Sequence, residues 1–231
     1  MLSFVVPAYN EEKYLARTLA AIHDAARTVG EPYEIVVAND DSSDATQQVA
    51  ESGGARVVTV HKRQIAGTRN AGAAAARGEW LVFVDADTRV DADVVRGAVE
   101  AFRGGAVAGG APVRFDGGPR WVQWTTPIVV FIFRRVKWAA GCFLFARRDV
   151  FERVGGFDER YYASEEIHLS RALKRHGRFV MVDAAVTTSA RKTETHSLWA
   201  TLKLLARILA RGEEGLKSRE LTASFWYPDK R

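Results

Sequence analysis

Two aspartates two positions apart follow an apolar segment of the chain. Asp85 and Asp87 come directly after residues 80–84, all of which are apolar. On an extended chain, side chains two positions apart point the same way, so both carboxylates can face one site. Carboxylate oxygens suit Mg²⁺ or Mn²⁺, which take water and phosphate oxygens as their remaining ligands. A helix cap with a spare charge is the alternative interpretation, and the position at a strand end favours the metal site.

A run of polar residues, 39–44, follows another predicted strand at 34–38. Ser42 or Ser43 could simply cap the next helix. Capping needs only one such residue, so the length of the run favours a ligand-binding role for at least Asp40.

Four further polar residues have a type and position that could do chemistry. Arg69 opens an alanine-rich helical pattern and could bind phosphate oxygens in a bidentate manner, or be a solvated arginine on a helix face. Glu165 and Glu166 follow Ser164, which can cap a helix. A glutamate there could be a surface acid or a general base close to a metal-bound diphosphate. His168 is a candidate metal ligand or a mere neighbour of these acids.

Alternating strand and helix patterns must position these residues. Short segments rich in β-branched residues at 4–6, 34–38, 55–60 and 80–84 alternate with helical patterns at 11–28, 43–52 and 66–77. This alternation predicts an α/β fold with a Rossmann-like, mostly parallel, twisted sheet flanked by helices. Ligands bind beyond the carboxyl ends of the strands in such sheets, which is where the acidic residues above lie.

The chain is expected to form a single domain over residues 1–212. The regular pattern occupies residues 1–104, whereas glycine pairs interrupt residues 105–196 and predict mixed strands and helices there. An amphipathic helix is expected over 197–211, followed by a tail over 213–231.

Composition excludes several classes of protein. With 231 residues, 47% hydrophobic and 26% charged, the chain can fill a core and is not a disordered protein. The net charge of +5 suits phosphate-bearing ligands, nucleic acid or an anionic membrane without choosing among them. Cys142 is the only cysteine, which excludes an intrachain disulfide and favours a cytoplasmic location. The N-terminal segment is expected to be a strand rather than a signal peptide, and no apolar run reaches the length of a membrane span.

Six segments, taken in order, resemble the family 2 glycosyltransferases, which have the GT-A fold. They are residues 6–12, 39–44, 67–72, 84–87, 155–159 and 165–166. The resemblance implies an inverting enzyme that transfers a sugar from a nucleoside diphosphate sugar, expected to be a UDP-sugar, to an acceptor hydroxyl. It also implies a divalent cation, Mg²⁺ or Mn²⁺, that holds the diphosphate. The nucleotide would bind to the half at 1–104 and the acceptor to the half at 105–196.

The same resemblance assigns roles to residues of the nucleotide site. Pro7, Tyr9 and Glu11 would line the nucleoside pocket, and Asp40 would bind the base. Arg69 would lie near the base or the diphosphate.

The resemblance also implies a catalytic base and metal ligands. Asp85 would face the ribose or the metal, Asp87 would bind the metal, and His168 is a further candidate ligand. Glu166 lies where the family has a catalytic aspartate, so it would deprotonate the acceptor.

The segment 121–138 combines apolar and basic residues. It holds three tryptophans, the apolar run 128–133 and a basic cluster within 134–137. A partly buried helix is one interpretation. The other is that this segment and the helix at 197–211 rest on an anionic bilayer, at the inner face of the membrane, with a lipid-linked acceptor.

Three other functions agree with parts of the sequence. A GT-A protein could bind a nucleotide without catalysis. A nucleotidyltransferase would share the sheet and the metal-binding acids, but the first loop is acidic where a triphosphate needs glycine and basic residues. A nucleic-acid-binding module would suit the basic pI, but the basic residues are scattered and the acid pair would repel phosphates, so no nucleic-acid partner is expected.

Overall fold

The computed structural model describes residues 1–191 together with Lys203, Glu214 and Ser218. Apart from those three positions, the helix expected at 197–211 and the tail at 213–231 lie outside the described residues. The described elements, in chain order, are β1 (Leu2–Ala8), α1 (Leu15–Val29), β2 (Tyr33–Asp40), α2 (Thr46–Ser52), β3 (Arg56–Val60), α3 (Ile65–Ala75), β4 (Trp80–Val84), β5 (Thr88–Arg89), α4 (Ala92–Arg103), β6 (Ala108–Gly110), β7 (Val113–Phe115), α5 (Arg120–Val136), β8 (Phe143–Arg147), α6 (Arg148–Arg153), α7 (Glu165–Lys174), β9 (Phe179–Met181) and β10 (Val186–Thr188).

Seven strands form the main sheet, in the order β3-β2-β1-β4-β8-β6-β9. The first four run parallel, as the alternating pattern predicted. β8 runs antiparallel to both β4 and β6, and β9 runs parallel to β6. The predicted α/β sheet with a mixed second half is therefore confirmed. β2 continues through Asp40, so the start of the polar run belongs to a strand rather than to a loop.

Helices cover both faces of this sheet. On one face the predicted stripe of α1, formed by Leu15, Leu19 and Ile22, is at most 1% exposed and packs in the same cluster as Phe4. Val5 points to the opposite face, where it joins the cluster beneath α3, α6 and α7. The alternation of side chains along β1 thus supplies both layers of the core.

Pro7 lies in a central strand, where its missing N–H would normally break a hydrogen-bond ladder. The pairing of β1 with β4 ends at Val5, opposite Phe83, whereas the pairing with β2 continues past Pro7 to Ala8. Pro7 therefore lies beyond the ladder with β4. The candidate ligand-binding loops begin at this edge.

A second sheet of three strands has the order β5-β10-β7. The chain reaches it from β4 through a turn in which the Thr88 N–H donates to the Asp85 carbonyl at 3.0 Å. β10 pairs antiparallel with β5, with Thr188 opposite Thr88. The N–H of Ser189 then donates to the Asp87 carbonyl at 3.3 Å, so the chain after β10 lies beside Asp87.

α5 is a partly buried helix that leaves most of its residues exposed. Of its residues only Val122 is buried, although most of the helix is apolar. Within the described part of the chain, no helix has both the length and the apolar character needed to cross a membrane.

Candidate active site

The loops after β1 and β2 are tied together at the carboxyl edge of the main sheet. The N–H of Asn10 donates to Ser42 Oγ at 3.0 Å, and the N–H of Ser43 donates to Asn10 Oδ1 at 2.8 Å. The N–H of Glu11 donates to Thr46 Oγ1 at 2.7 Å. Ser42 and Ser43 of the polar run therefore join the loop after β2 to the loop after β1.

Two of the three residues predicted to line the nucleoside pocket lie in the loop after β1. Tyr9 and Glu11 are half-buried there, whereas Pro7 is buried within β1. Pro7 fixes the backbone at the entrance to this loop, because its ring restricts φ.

Asp40 is fully buried at the end of β2. Its Oδ1 accepts hydrogen bonds from the backbone N–H groups of Lys62 at 2.8 Å and Arg63 at 2.9 Å, and its Oδ2 accepts one from the Thr68 hydroxyl at 3.0 Å. The carboxylate has no exposed surface and holds the loop between β3 and α3. This geometry argues against the prediction that Asp40 binds the base.

Arg69 is the centre of a buried ion-pair network. Its guanidinium nitrogens lie 2.7 Å from carboxylate oxygens of Asp85 and Glu165 and donate to the Gly141 carbonyl at 2.7 Å. Only 3% of its side chain is exposed, and the guanidinium lies 5.2 Å from the centre of the Phe157 ring. Burial lowers the pKa of Arg69, but the charges of Asp85 and Glu165 raise that pKa by more, so the group stays charged.

That Arg69 lies near the base or the diphosphate stays a prediction, and its guanidinium lies beside Asp85 at 2.7 Å. α3 packs against β1 and β2, which buries its first turn beneath the loops. The donors of Arg69 are directed at protein oxygens, so this residue positions Asp85 and Glu165. Spacing along the chain could not reveal this role, because Glu165 lies 96 residues further on.

Asp85 and Asp87 lie in the turn between the two sheets, which corrects the assumption of an extended segment. The N–H of Asp85 donates to the Cys142 carbonyl at 3.3 Å, which ties the start of this turn to the residue before β8. Burial raises the pKa of the Cys142 thiol, and the charges of Asp85 and Asp87 raise it further.

Arg191, which the sequence analysis missed, spans two acidic residues of the site. Its guanidinium pairs with Glu11 and also lies 3.0 Å from Asp87 Oδ2. It is 4.6 Å from the centre of the Tyr14 ring. Burial lowers the pKa of Arg191, but the hydrogen bond to Glu11 and the charge of Asp87 raise that pKa by more. A positive charge is thus accommodated between the loop after β1 and the Asp87 turn.

The donors at this edge fit a cation that shares its shell with a phosphate ligand. Among the described residues, no three His, Cys, Asp or Glu side chains form a metal-binding group. His168 stacks on Tyr161, with ring centroids 3.8 Å apart, and does not join Asp85 and Asp87 in such a group. Its candidate role as a ligand is therefore not supported. Two carboxylates suit Mg²⁺ or Mn²⁺ when diphosphate oxygens and water supply the other ligands.

Glu166 lies at the start of α7, beside the Arg69 network. Its carboxyl carbon is 3.6 Å from the position that a Cβ at Gly141 would take. Burial raises the pKa of Glu166 to about 8, and the charge of Glu165 is the second cause. Ser164 makes no side-chain capping hydrogen bond, contrary to expectation, because its backbone is left-handed with φ of 61°. A carboxyl group with a pKa near neutrality can accept a proton from a hydroxyl.

The sequence matches the model of glycosyl transferase family 2 over residues 3–156. The chain belongs to this family. It is 38% identical over 119 residues to the succinoglycan biosynthesis protein ExoO of Rhizobium meliloti. The matched region covers 50% of this chain and 32% of that protein. It is 30% identical over 172 residues to the undecaprenyl-phosphate 4-deoxy-4-formamido-L-arabinose transferase of Pseudomonas paraeruginosa. This match covers 69% of this chain and 51% of that protein. The chain thus spans about half or less of these curated relatives.

Solved glycosyltransferase structures share the fold. The TM-score is 0.65 with S. aureus TarS in complex with UDP-GlcNAc, at 18% identity, over 97% of this chain and 71% of that one. It is 0.66 with the mannosyltransferase PcManGT of Pyrobaculum calidifontis in complex with GDP-Man and Mn²⁺, at 20% identity, over 97% and 69% of the two chains. The family 2 transferase described here therefore has the expected GT-A fold.

Replacing Asp40 by asparagine should destabilise the protein. An amide nitrogen cannot accept the hydrogen bonds that one carboxylate oxygen receives, and an unsatisfied buried donor costs about 1–3 kcal/mol. We expect the melting temperature of Asp40→Asn to fall by about 3–9 °C. Asp41→Asn is the control, because Asp41 is left-handed with φ of 57°, which asparagine tolerates. Unchanged stability of Asp40→Asn with weakened nucleotide binding would restore the base-binding role.

Replacing Glu166 by glutamine should stabilise the ligand-free protein at alkaline pH. Folding raises the pKa of this carboxyl group, so the folded state retains a proton that the unfolded chain has released, and stability falls as the pH rises from 4.5 towards about 8. Glutamine does not ionise and lacks this loss. Melting temperatures measured from about pH 5 to pH 8.5 should therefore diverge, with the variant melting higher. Glu152→Gln, at an exposed position of α6, should show a constant difference from wild type; parallel curves for Glu166→Gln would contradict the argument.

Proposed function

We propose that this protein transfers a sugar from a nucleoside diphosphate sugar to an acceptor hydroxyl, with Glu166 as the general base. The position of Glu166 carries the proposal. Its carboxyl group lies beside Gly141 and Arg69, and the same guanidinium holds Asp85 in the turn after β4. The Arg69 guanidinium also pairs with Glu165, the neighbour of Glu166 in the chain, so the proposed base and Asp85 lie at the ends of one ion-pair network.

The loop after β1 and the Asp87 turn would hold the donor. Tyr9 and Glu11 would line the nucleoside site, and Asp85 would face the ribose or the cation. Asp87 would bind Mg²⁺ or Mn²⁺, which when present neutralises charge on the leaving diphosphate. Structures of similar fold with UDP-GlcNAc or GDP-Man support a nucleotide sugar, and we propose a UDP-sugar.

Glu166 would accept the proton of the acceptor hydroxyl. The acceptor oxygen forms its bond to the anomeric carbon while the bond from that carbon to the diphosphate oxygen breaks, and attack from the opposite side inverts the configuration. The electron pair leaves with the nucleoside diphosphate, and the proton stays on the Glu166 carboxylate. The raised pKa of Glu166 makes its carboxylate a stronger base than that of an ordinary glutamate, so the deprotonated group takes up the hydroxyl proton more readily.

The acceptor is proposed to be lipid-linked. Several relatives are undecaprenyl-phosphate transferases, and the match to one of them covers 69% of this chain.

Glutamine at position 166 tests the proposed base. Glu166→Gln should lower kcat by about 10²–10⁴-fold with each candidate donor, since it cannot take up the proton. The shift in melting temperature caused by UDP with Mn²⁺ should persist, because the donor-binding residues are unchanged. Glu152→Gln should keep full activity. Full activity of Glu166→Gln would exclude Glu166 as the base, and a wild-type protein that binds UDP without transfer would favour the inactive nucleotide-binding alternative.

Removing the Arg191 guanidinium should strengthen binding of Mn²⁺ to the nucleotide-free protein. The guanidinium lies 3.0 Å from Asp87 Oδ2 and competes with any cation there. We expect Arg191→Ala to lower the Mn²⁺ dissociation constant by about tenfold, measured by titration calorimetry. Arg191→Lys retains the charge and should behave as wild type. Equal Mn²⁺ affinity in all three proteins would place the cation away from Asp87.

A further inference from the structure

α5 presents an apolar surface that the described part of the protein leaves uncovered. Trp124 is 74% exposed, Ile128 62% and Phe131 67%. Val129, Ile132 and Val136 of the same helix are also exposed. Met1 is the one exposed large apolar residue of the described chain that lies elsewhere. Exposed apolar residues concentrated on one element mark an interaction surface, since scattered single residues are the normal case.

The residues that flank this surface are basic. Arg120 begins α5, and Arg134, Arg135 and Lys137 follow its apolar part. No Asp or Glu occurs in the sequence between positions 116 and 149. From α7, the Arg171 guanidinium lies 5.0 Å from the centre of the Trp138 ring, which adds another cation at the same end. Among the residues that the structure describes, Arg134 is the one of these basic groups that pairs with an acid, at 2.7 Å from Asp183.

The hydroxyl groups of α5 are satisfied within the helix. Thr125 Oγ1 donates to the Trp121 carbonyl at 2.9 Å, and Thr126 Oγ1 donates to the Val122 carbonyl at 2.6 Å. Hydroxyl hydrogens used in this way need no water partner. Moving this helix into an apolar surrounding therefore carries little cost from its threonines.

The length of α5 and the charge of its flanking residues indicate which partner this surface binds. At 17 residues, α5 is about 25 Å long, which is less than the apolar thickness of a bilayer. A second copy of the chain would bring two basic clusters together, which is unfavourable. An amphipathic helix with an apolar face and basic flanks is typical of segments that lie in the headgroup region of an anionic membrane.

We propose that α5 binds the surface of an anionic phospholipid bilayer and lies in the plane of the membrane. Trp124, Ile128 and Phe131 are four and then three positions apart, so they share one face of the helix and enter the boundary of the hydrocarbon. The basic residues at the two ends contact lipid phosphates. This proposal is independent of the transfer reaction, since it requires neither donor nor acceptor.

Vesicle flotation of the full chain tests the proposal without any nucleotide sugar. The protein should float with vesicles of equimolar phosphatidylcholine and phosphatidylglycerol at low salt, and at least about tenfold less with phosphatidylcholine alone. Rising salt should weaken the binding, because it screens the charges. If the wild-type protein does not bind the anionic vesicles at low salt, the proposal is overturned. This holds even if another segment or another protein is then found to cover α5.

Two variants separate the apolar from the basic contribution. Ile128→Asp with Phe131→Asp places charges on the membrane-facing side and should abolish flotation. Arg134→Gln with Arg135→Gln should weaken binding to anionic vesicles by about fivefold to twentyfold. Arg147→Gln with Arg153→Gln removes the same charge from exposed positions outside α5 and should bind within about twofold of wild type.

Folding of the variants is checked by their melting temperatures, which should stay near that of wild type because the changed side chains are exposed or half-buried. Wild-type flotation by the aspartate variant would overturn the role of α5. An equal loss in both arginine pairs would show that only net charge matters and would also overturn it. A wild-type dimer in light scattering that the aspartate variant dissociates would assign the surface to a second copy of the chain.

Discussion

The ion pairs of Arg69 connect parts of the chain that no shared strand or helix joins. The ion pairs link Asp85 after β4 to Glu165 at the start of α7, and a hydrogen bond from the same guanidinium adds the Gly141 carbonyl before β8. A buried guanidinium is stable only when its lost hydration is replaced, and removing one partner of such a pair costs about 3–5 kcal/mol. The acidic groups of the site are therefore fixed relative to each other before a ligand binds. Such preorganisation is what electrostatic catalysis requires.

The sequence predicted the parallel half of the sheet well, because β-branched segments and amphipathic helices are decided by local patterns. The role of Asp40 is not decided by such patterns, because a carboxylate at a strand end can bind a ligand or the protein's own backbone. Asn70 shows the same ambiguity. Its amide exchanges two hydrogen bonds with the backbone of Phe157, at 2.8 and 2.9 Å, and so joins two of the segments that carry the family resemblance. Recurring motifs thus include residues that hold the fold as well as residues that can bind a ligand.

No pattern in the sequence predicted that Arg191 belongs to the candidate site. Its place beside Asp87 depends on the pairing of β10 with β5, and strands this short have no distinctive pattern. The turn at 85–87 likewise follows from the change of sheet, which spacing alone cannot reveal. The exposed surface of α5 was easier to anticipate, because an apolar run with basic flanks is visible in composition. Whether a helix with such a composition is covered by the rest of the chain is decided by tertiary packing.

The strand order also has a consequence for synthesis on the ribosome. β1 to β4 are complete once Val84 has emerged, but one side of β4 is covered only by β8, which ends at Arg147. Until then the backbone of β4 is an open sheet edge, and such edges pair readily with other chains. The apolar surface of α5 is made during the same interval. The nascent chain therefore passes through a stage in which the open edge of β4 and the apolar surface of α5 are both exposed. A chaperone would protect the chain most effectively at this stage.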